Sequence, residues 1–252
     1  MHRYCLCDFI GLWGFPTASI AIHRENSGQI QIEDRTGKKV FITLLRELYE
    51  SYDIALVVCK THSVDTIHAS NIAYLAFFYG AVGDVSKSIL SSRLGSKFNE
   101  SFLNDLFKNF EERRQSVDKN AFHYKIFDGH QSRLGHYYRH LFQSVNYINA
   151  QNTETLSYIE KYQYIKTMRA QLSTQEQMLL FWNSVSDIGM DWEKGSKVVL
   201  DNDKLITKYN LIKNIPDGYS KYISPRKYYP LVEYEGLEQK PVGRASLEAR
   251  YC

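Results

Sequence analysis

The chain has 252 residues, enough for one large domain or two small ones and for a sizeable core. Lysine and arginine number 31 against 28 aspartate and glutamate, so the net charge is +3 and a wholly basic surface coat is excluded, though not a local basic groove. Hydrophobic residues at 44% and charged residues at 23% exclude global disorder, and five prolines with 14 glycines disfavour an all-β chain of many tight turns.

Tyr4 to Ile22 is mostly apolar, but Asp8 interrupts it and Gly11, Gly14 and Pro16 break any helix. Neither a membrane-spanning helix nor a signal peptide fits that pattern. Residues 1–21 are therefore read as an atypical apolar segment, a non-native or truncated start. Cys5, Cys7, Cys59 and Cys252 match neither a zinc spacing nor a disulfide framework and are read as reduced thiols of a cytoplasmic protein.

From Ile30 the pattern turns helical. After the turn-like Arg35-Thr36-Gly37, apolar residues at Val40, Phe41, Leu44, Leu45, Leu48, Tyr52 and Leu56 follow the i, i+3, i+4 rhythm of an amphipathic helix. Further helices are predicted over Ser63–Gly80, Val85–Leu94 with Gly95 as a terminating C′ glycine, and Asn99–Glu112. A fifth runs over Ser132–Asn149, a sixth over Glu154–Ala170 and a seventh from Ser173 to Ile188, with a weaker stretch over Asp203–Ile212. Ser173 followed by Glu176 is a capping-box signature that fixes the seventh helix start. Beyond Asn214, Pro216, Pro225 and Pro230 with many tyrosines read as an irregular wrap, with the polar Glu233–Arg244 segment expected to be loose. The fold class is mainly α: a single-domain multi-helix bundle over 22–216, with an irregular C-terminal tail over 217–252.

The fifth helix carries the clearest chemistry. Leu134, Tyr138, Leu141, Val145 and Ile148 share one face for the core. His136, Arg139, His140 and Gln143 share a second face, where two imidazoles and a guanidinium could meet a carboxylate, phosphate or metal. Arg169 and Gln171 flank the junction between the sixth and seventh helices, and Asn183 lies about two turns beyond Glu176. These seven residues form the candidate ligand-binding set, expected to face a shared hollow between neighbouring helices. No common nucleotide-, zinc-protease or serine-hydrolase motif occurs.

Leu134-Gly-His-Tyr-Tyr-Arg-His-Leu-Phe, Tyr164 to Arg169-Ala-Gln-Leu-Ser, Glu176 and Leu179-Leu-Phe-Trp-Asn183 together resemble the AbiC-like family of phage abortive infection proteins. Ile22-His-Arg-Glu-Asn26, Gly37-Lys-Lys-Val-Phe41 and Leu45 to Leu48 look like its leading region, and Lys208-Tyr-Asn-Leu-Ile212 like its trailing block. The resemblance spans Ile22 to Pro216. It implies a bacterial or prophage-borne protein acting in defence against phage, with an unidentified phage or host component as partner. Family members commonly carry membrane helices ahead of this region, so the resemblance also implies membrane association through a longer native N-terminus.

An effector or sensor with a His/Arg-lined site is the leading functional reading, and it calls for no cofactor. A second reading is a metal-independent, HEPN-like ribonuclease acting on RNA. In it His140 would be the general base, and Arg133, with six residues between the two, would stabilise the phosphorane. A third takes His136 and His140 as two legs of a metal site completed from His123, His130 or Glu176, and falls short of the three or four ligands required. Assembly of a homo-oligomer through aromatic-rich helices is a fourth.

Overall fold

The computed structural model describes residues 19–26, 29–36, 38–117, 119–122, 124–194 and 204–251. Cys5, Cys7, His123, Cys252 and nearly all of the apolar N-terminal segment lie outside these residues.

The fold is mainly α, preceded by one antiparallel hairpin. Strands β1 (Ser19–Asn26) and β2 (Gln29–Thr36) pair in the register Ser19↔Thr36 to Asn26↔Gln29. The helical reading from Ile30 is thereby corrected. Ile30 and Ile32 alternate with Gln29, Gln31 and Glu33, the period-2 pattern of a strand.

Seven long helices follow: α1 (Lys38–Thr61), α2 (Ala69–Tyr79), α3 (Asp84–Leu94), α4 (Glu100–Ser116), α5 (Gln131–Asn149), α6 (Tyr158–Arg169) and α7 (Thr174–Ser184). A short α8 (Leu205–Tyr209) and single turns at Pro225–Tyr228 and Arg244–Glu248 complete the chain. α2 is apolar nearly all round, and in α7 every residue from Glu176 to Ser184 is buried, polar ones included. The two helices form the centre. α1 packs across α2, α4 and α7, while α5 lies against α2 and α6.

The ends of the helices follow local chemistry. Asn99 caps α4 by accepting from the Phe102 N–H at 2.9 Å. Ser173 and Glu176 form the capping box expected from sequence, and Ser157 with Glu160 forms a second at the start of α6. Gly95 ends α3 differently from expectation. Its φ is −63°, so it is not a left-handed cap; its missing Cβ leaves room for the Ser91 carbonyl, which would otherwise lie 2.7 Å away.

The C-terminal residues wrap the bundle as predicted, but the Glu233–Arg244 segment is pinned rather than loose. Arg244 is fully buried and donates to the carbonyls of Thr207 and Leu231 and, at 3.1 Å, of Lys208, with Glu248 pairing at 2.9 Å. Tyr222 stacks between Tyr49 and Tyr52 of α1, and the Tyr229 hydroxyl donates to Ser184 Oγ at 2.8 Å.

Candidate functional site

α5 sits with its apolar face inward. Leu134, Tyr138, Leu141, Val145 and Ile148 are all buried, as the 3.6-residue period dictates. The opposite side therefore faces solvent, and it carries His136, Arg139, His140 and Gln143, all exposed. These four stay together on one surface. His136, Arg139 and Gln143 make no hydrogen bond, ion pair or ring contact with any described residue.

Several other arginines are engaged within the protein. Arg46 reaches the Ala121 carbonyl, Arg93 lies over the Tyr79 ring, and Arg113 and Arg114 pair with Glu50 and Asp128 at 2.7 Å. An exposed guanidinium without a partner in the protein is a donor fork available to an outside anion.

The remaining members of the predicted set face elsewhere, which corrects the expectation of one shared hollow. Arg169 is buried and donates from one guanidinium nitrogen to the carbonyls of Tyr209 and Asn210, both at 3.0 Å. It thereby holds the end of α8. Asn183 is buried among α2 and α7; it donates to the Tyr74 hydroxyl and accepts from Trp192 Nε1, each at 3.0 Å. Gln171 is exposed at the α6–α7 junction. Polar residues in a helix pattern can serve either solvent or buried carbonyls, and sequence alone does not separate the two.

Glu176 serves structure twice. One oxygen accepts from the Ser173 N–H and hydroxyl at 2.7 and 2.6 Å, and the other accepts from the Tyr137 hydroxyl at 3.1 Å. Burial, followed by the carboxylate's charge, pushes the Tyr137 phenol well above its usual range.

A buried polar cluster at the start of α5 has no signature in local sequence. Glu47, on α1 and fully buried, accepts from the Phe127 N–H at 2.7 Å, from His130 Nε2 at 2.9 Å and from the Tyr124 hydroxyl. Arg133 NH1 approaches His130 Nδ1 at 3.4 Å. A guanidinium can only donate, so Nδ1 accepts and the imidazole proton sits on Nε2, facing Glu47. The chain of contacts thus runs from a buried carboxylate through a buried imidazole to an exposed guanidinium. Two glycines make it fit. Gly80 and Gly129 both have φ of +91° and cross so closely that a Cβ on Gly129 would fall 2.6 Å from the Tyr79 carbonyl carbon.

This geometry bears on the other readings. Arg133 leans toward His130, before the helix start, whereas His140 lies two turns in the other direction, roughly 10 Å along the axis. No described contact brings the two to one phosphodiester. His130 and Glu176, offered as further metal ligands, are committed to Glu47 and Ser173, and no group of three metal-ligating side chains occurs among the described residues. A cleft of about 170 Å³ lies on the C-terminal wrap, lined in part by Asp217, Ser220, Ser224, Arg226 and Tyr234; no residue of the predicted set lines it. Among the described residues no helix is long and apolar enough to cross a membrane.

A mainly helical body that displays a basic helix face, on which Arg139 has no partner among the described residues, is the class of protein these observations define. Residues 129–219 match the model of a family described as "Putative phage abortive infection protein". The match begins beside His130 and covers α5 to α8, including the central motifs on which the resemblance was read. The leading region around Ile22–Leu48 falls outside it. No curated protein and no solved structure matches the chain.

Proposed function

We propose that this is a phage-defence protein of the abortive-infection kind that acts by binding an anionic partner on the outer face of α5. His136, Arg139, His140 and Gln143 make the contacts. Arg169 and Asn183 act indirectly, by holding α8 and the α2–α7 core in place. The observation that carries the reading is Arg139: an exposed guanidinium without a partner among the described residues, at the middle of the helix that opens the family match. A guanidinium presents a planar fork of donors, so an exposed one is where an outside anion gains most.

Phage challenge of cells expressing the chain tests this. Arg139→Ala combined with His140→Ala should restore plaque formation to the level of cells lacking the protein, with expression level and melting temperature unchanged. Full protection by that folded double variant would remove the α5 face from the mechanism.

A further inference from the structure

The chemistry of that partner can be narrowed, on the reading that the outer face of α5 is the binding face. We infer that it holds a nucleic-acid strand by its phosphates.

From Gln131 to Asn149 the helix contains no aspartate or glutamate. Arg133, His136, His140, Gln143 and Tyr147 are all exposed and recur at intervals of three and four, so they form one straight stripe, with Arg139 beside it. Fourteen residues of helix extend about 21 Å, comparable to roughly six phosphates of one duplex strand at 3.4 Å each. The stripe ends on Tyr147, whose ring is 51% exposed and offers a stacking platform for a base. Lys166 on the neighbouring α6 is exposed and adds a further cation.

An acidic protein would be the other anionic partner, and the surface does not suit one. Protein interfaces are built around apolar and aromatic anchors with charge depleted at the centre. Between Arg133 and Gln143 the exposed positions are basic or amide, with no large apolar side chain among them. Donors along a line, with one ring at the end, are what a phosphodiester backbone with occasional base contact requires. Arg133 is part of the row, and its contact with His130 holds the guanidinium near the helix start instead of leaving it to sample solvent.

The test is fluorescence anisotropy with the full chain and three labelled probes of one mixed sequence: single-stranded RNA, single-stranded DNA and the DNA duplex. At least one should bind, with an association constant that falls as salt rises from about 50 to 200 mM. Arg133→Ala and Arg139→Ala should each weaken binding several-fold and lower the salt slope by about 1, and Gln143→Lys should raise it by a similar amount. Lys227→Ala, an exposed cation on the C-terminal wrap, should leave both unchanged. The probe that binds identifies the strand type. Absence of binding to all three at low salt, or slopes unaltered in both arginine variants, overturns the inference. If that happens while the double variant still loses phage protection, the α5 face binds another anion and the proposed function stands. Weakened nucleic-acid binding with protection intact would have the opposite meaning.

Discussion

Glu47 and His130 meet at 2.9 Å, carboxylate to Nε2, although both are buried and 83 residues separate them. The contact ties α1 to the turn that launches α5. A carboxylate at zero exposure is tolerated because three donors surround it: the Tyr124 hydroxyl, the Phe127 N–H and the His130 ring.

Removing that acceptor should be costly. Glu47→Ala leaves three buried donors without a partner, and the expected loss is about 3–5 kcal/mol of unfolding free energy in urea titration. Glu47→Gln keeps one acceptor oxygen and the volume but turns an NH₂ toward a donor, so its loss should be smaller, about 1–3 kcal/mol. An alanine variant within 1 kcal/mol of the parent would show that the cluster does not hold the α5 start.

The seven residues singled out from sequence should divide into two groups on mutation. Alanine at His136, Arg139 or Gln143 removes no contact within the described protein, so stability should stay within about 0.5 kcal/mol of the parent. Arg169→Ala strips donors from the Tyr209 and Asn210 carbonyls, and Asn183→Ala strips partners from Tyr74 and Trp192. Each should cost about 1–3 kcal/mol. Thermal melts of the five variants would show two populations. A single overlapping spread would mean that the surface and buried assignments do not govern stability here.

That division marks what the sequence carries. Periodicity placed α1, α4 and the apolar face of α5, because those signals repeat within one element. Ser173 and Glu176 were readable as a cap because the partners are three residues apart. The burial of Glu47 is not legible in its helix pattern, because its partners Tyr124, Phe127 and His130 lie about eighty positions away. Arg244 was missed for the same reason. Its segment is polar, and composition does not distinguish polar groups that meet water from polar groups that meet carbonyls. The hairpin is not legible because the apolar alternation of β2 covers only Ile30 and Ile32 and adjoins a stronger helical pattern.

Arg244 should act as the rivet of the C-terminal wrap. Its guanidinium satisfies carbonyls of α8 and of Leu231 and pairs with Glu248. Arg244→Ala leaves these carbonyls without their donor and Glu248 with Lys240 alone, so the stretch around Leu237–Val242, with Leu237 and Val242 already exposed, should become far more susceptible to protease. Arg244→Lys cannot reproduce the planar fork and should recover only part of the protection. Limited proteolysis followed by mass spectrometry gives the cleavage sites and rates. Equal rates for parent and alanine variant would show that the wrap is held elsewhere.

Glu193 should set a pH dependence of stability. Burial is the largest influence on its carboxyl and pushes it up to about 7 from an ordinary 4.5, against the Thr207 N–H and hydroxyl, which pull it down. The folded state therefore retains a proton that the unfolded state releases between about pH 4.5 and 7. Stability from this group is full below that window, falls as pH rises through it, and levels off above. Two and a half units correspond to at most about 3 kcal/mol. Glu193→Gln keeps the acceptor oxygen for Thr207 and cannot ionise. Its stability relative to the parent should be near zero at about pH 5 and should grow to roughly 2–3 kcal/mol in its favour at about pH 8. Urea titrations of both chains across that range measure the difference directly, and a difference independent of pH would show that Glu193 is ionised throughout.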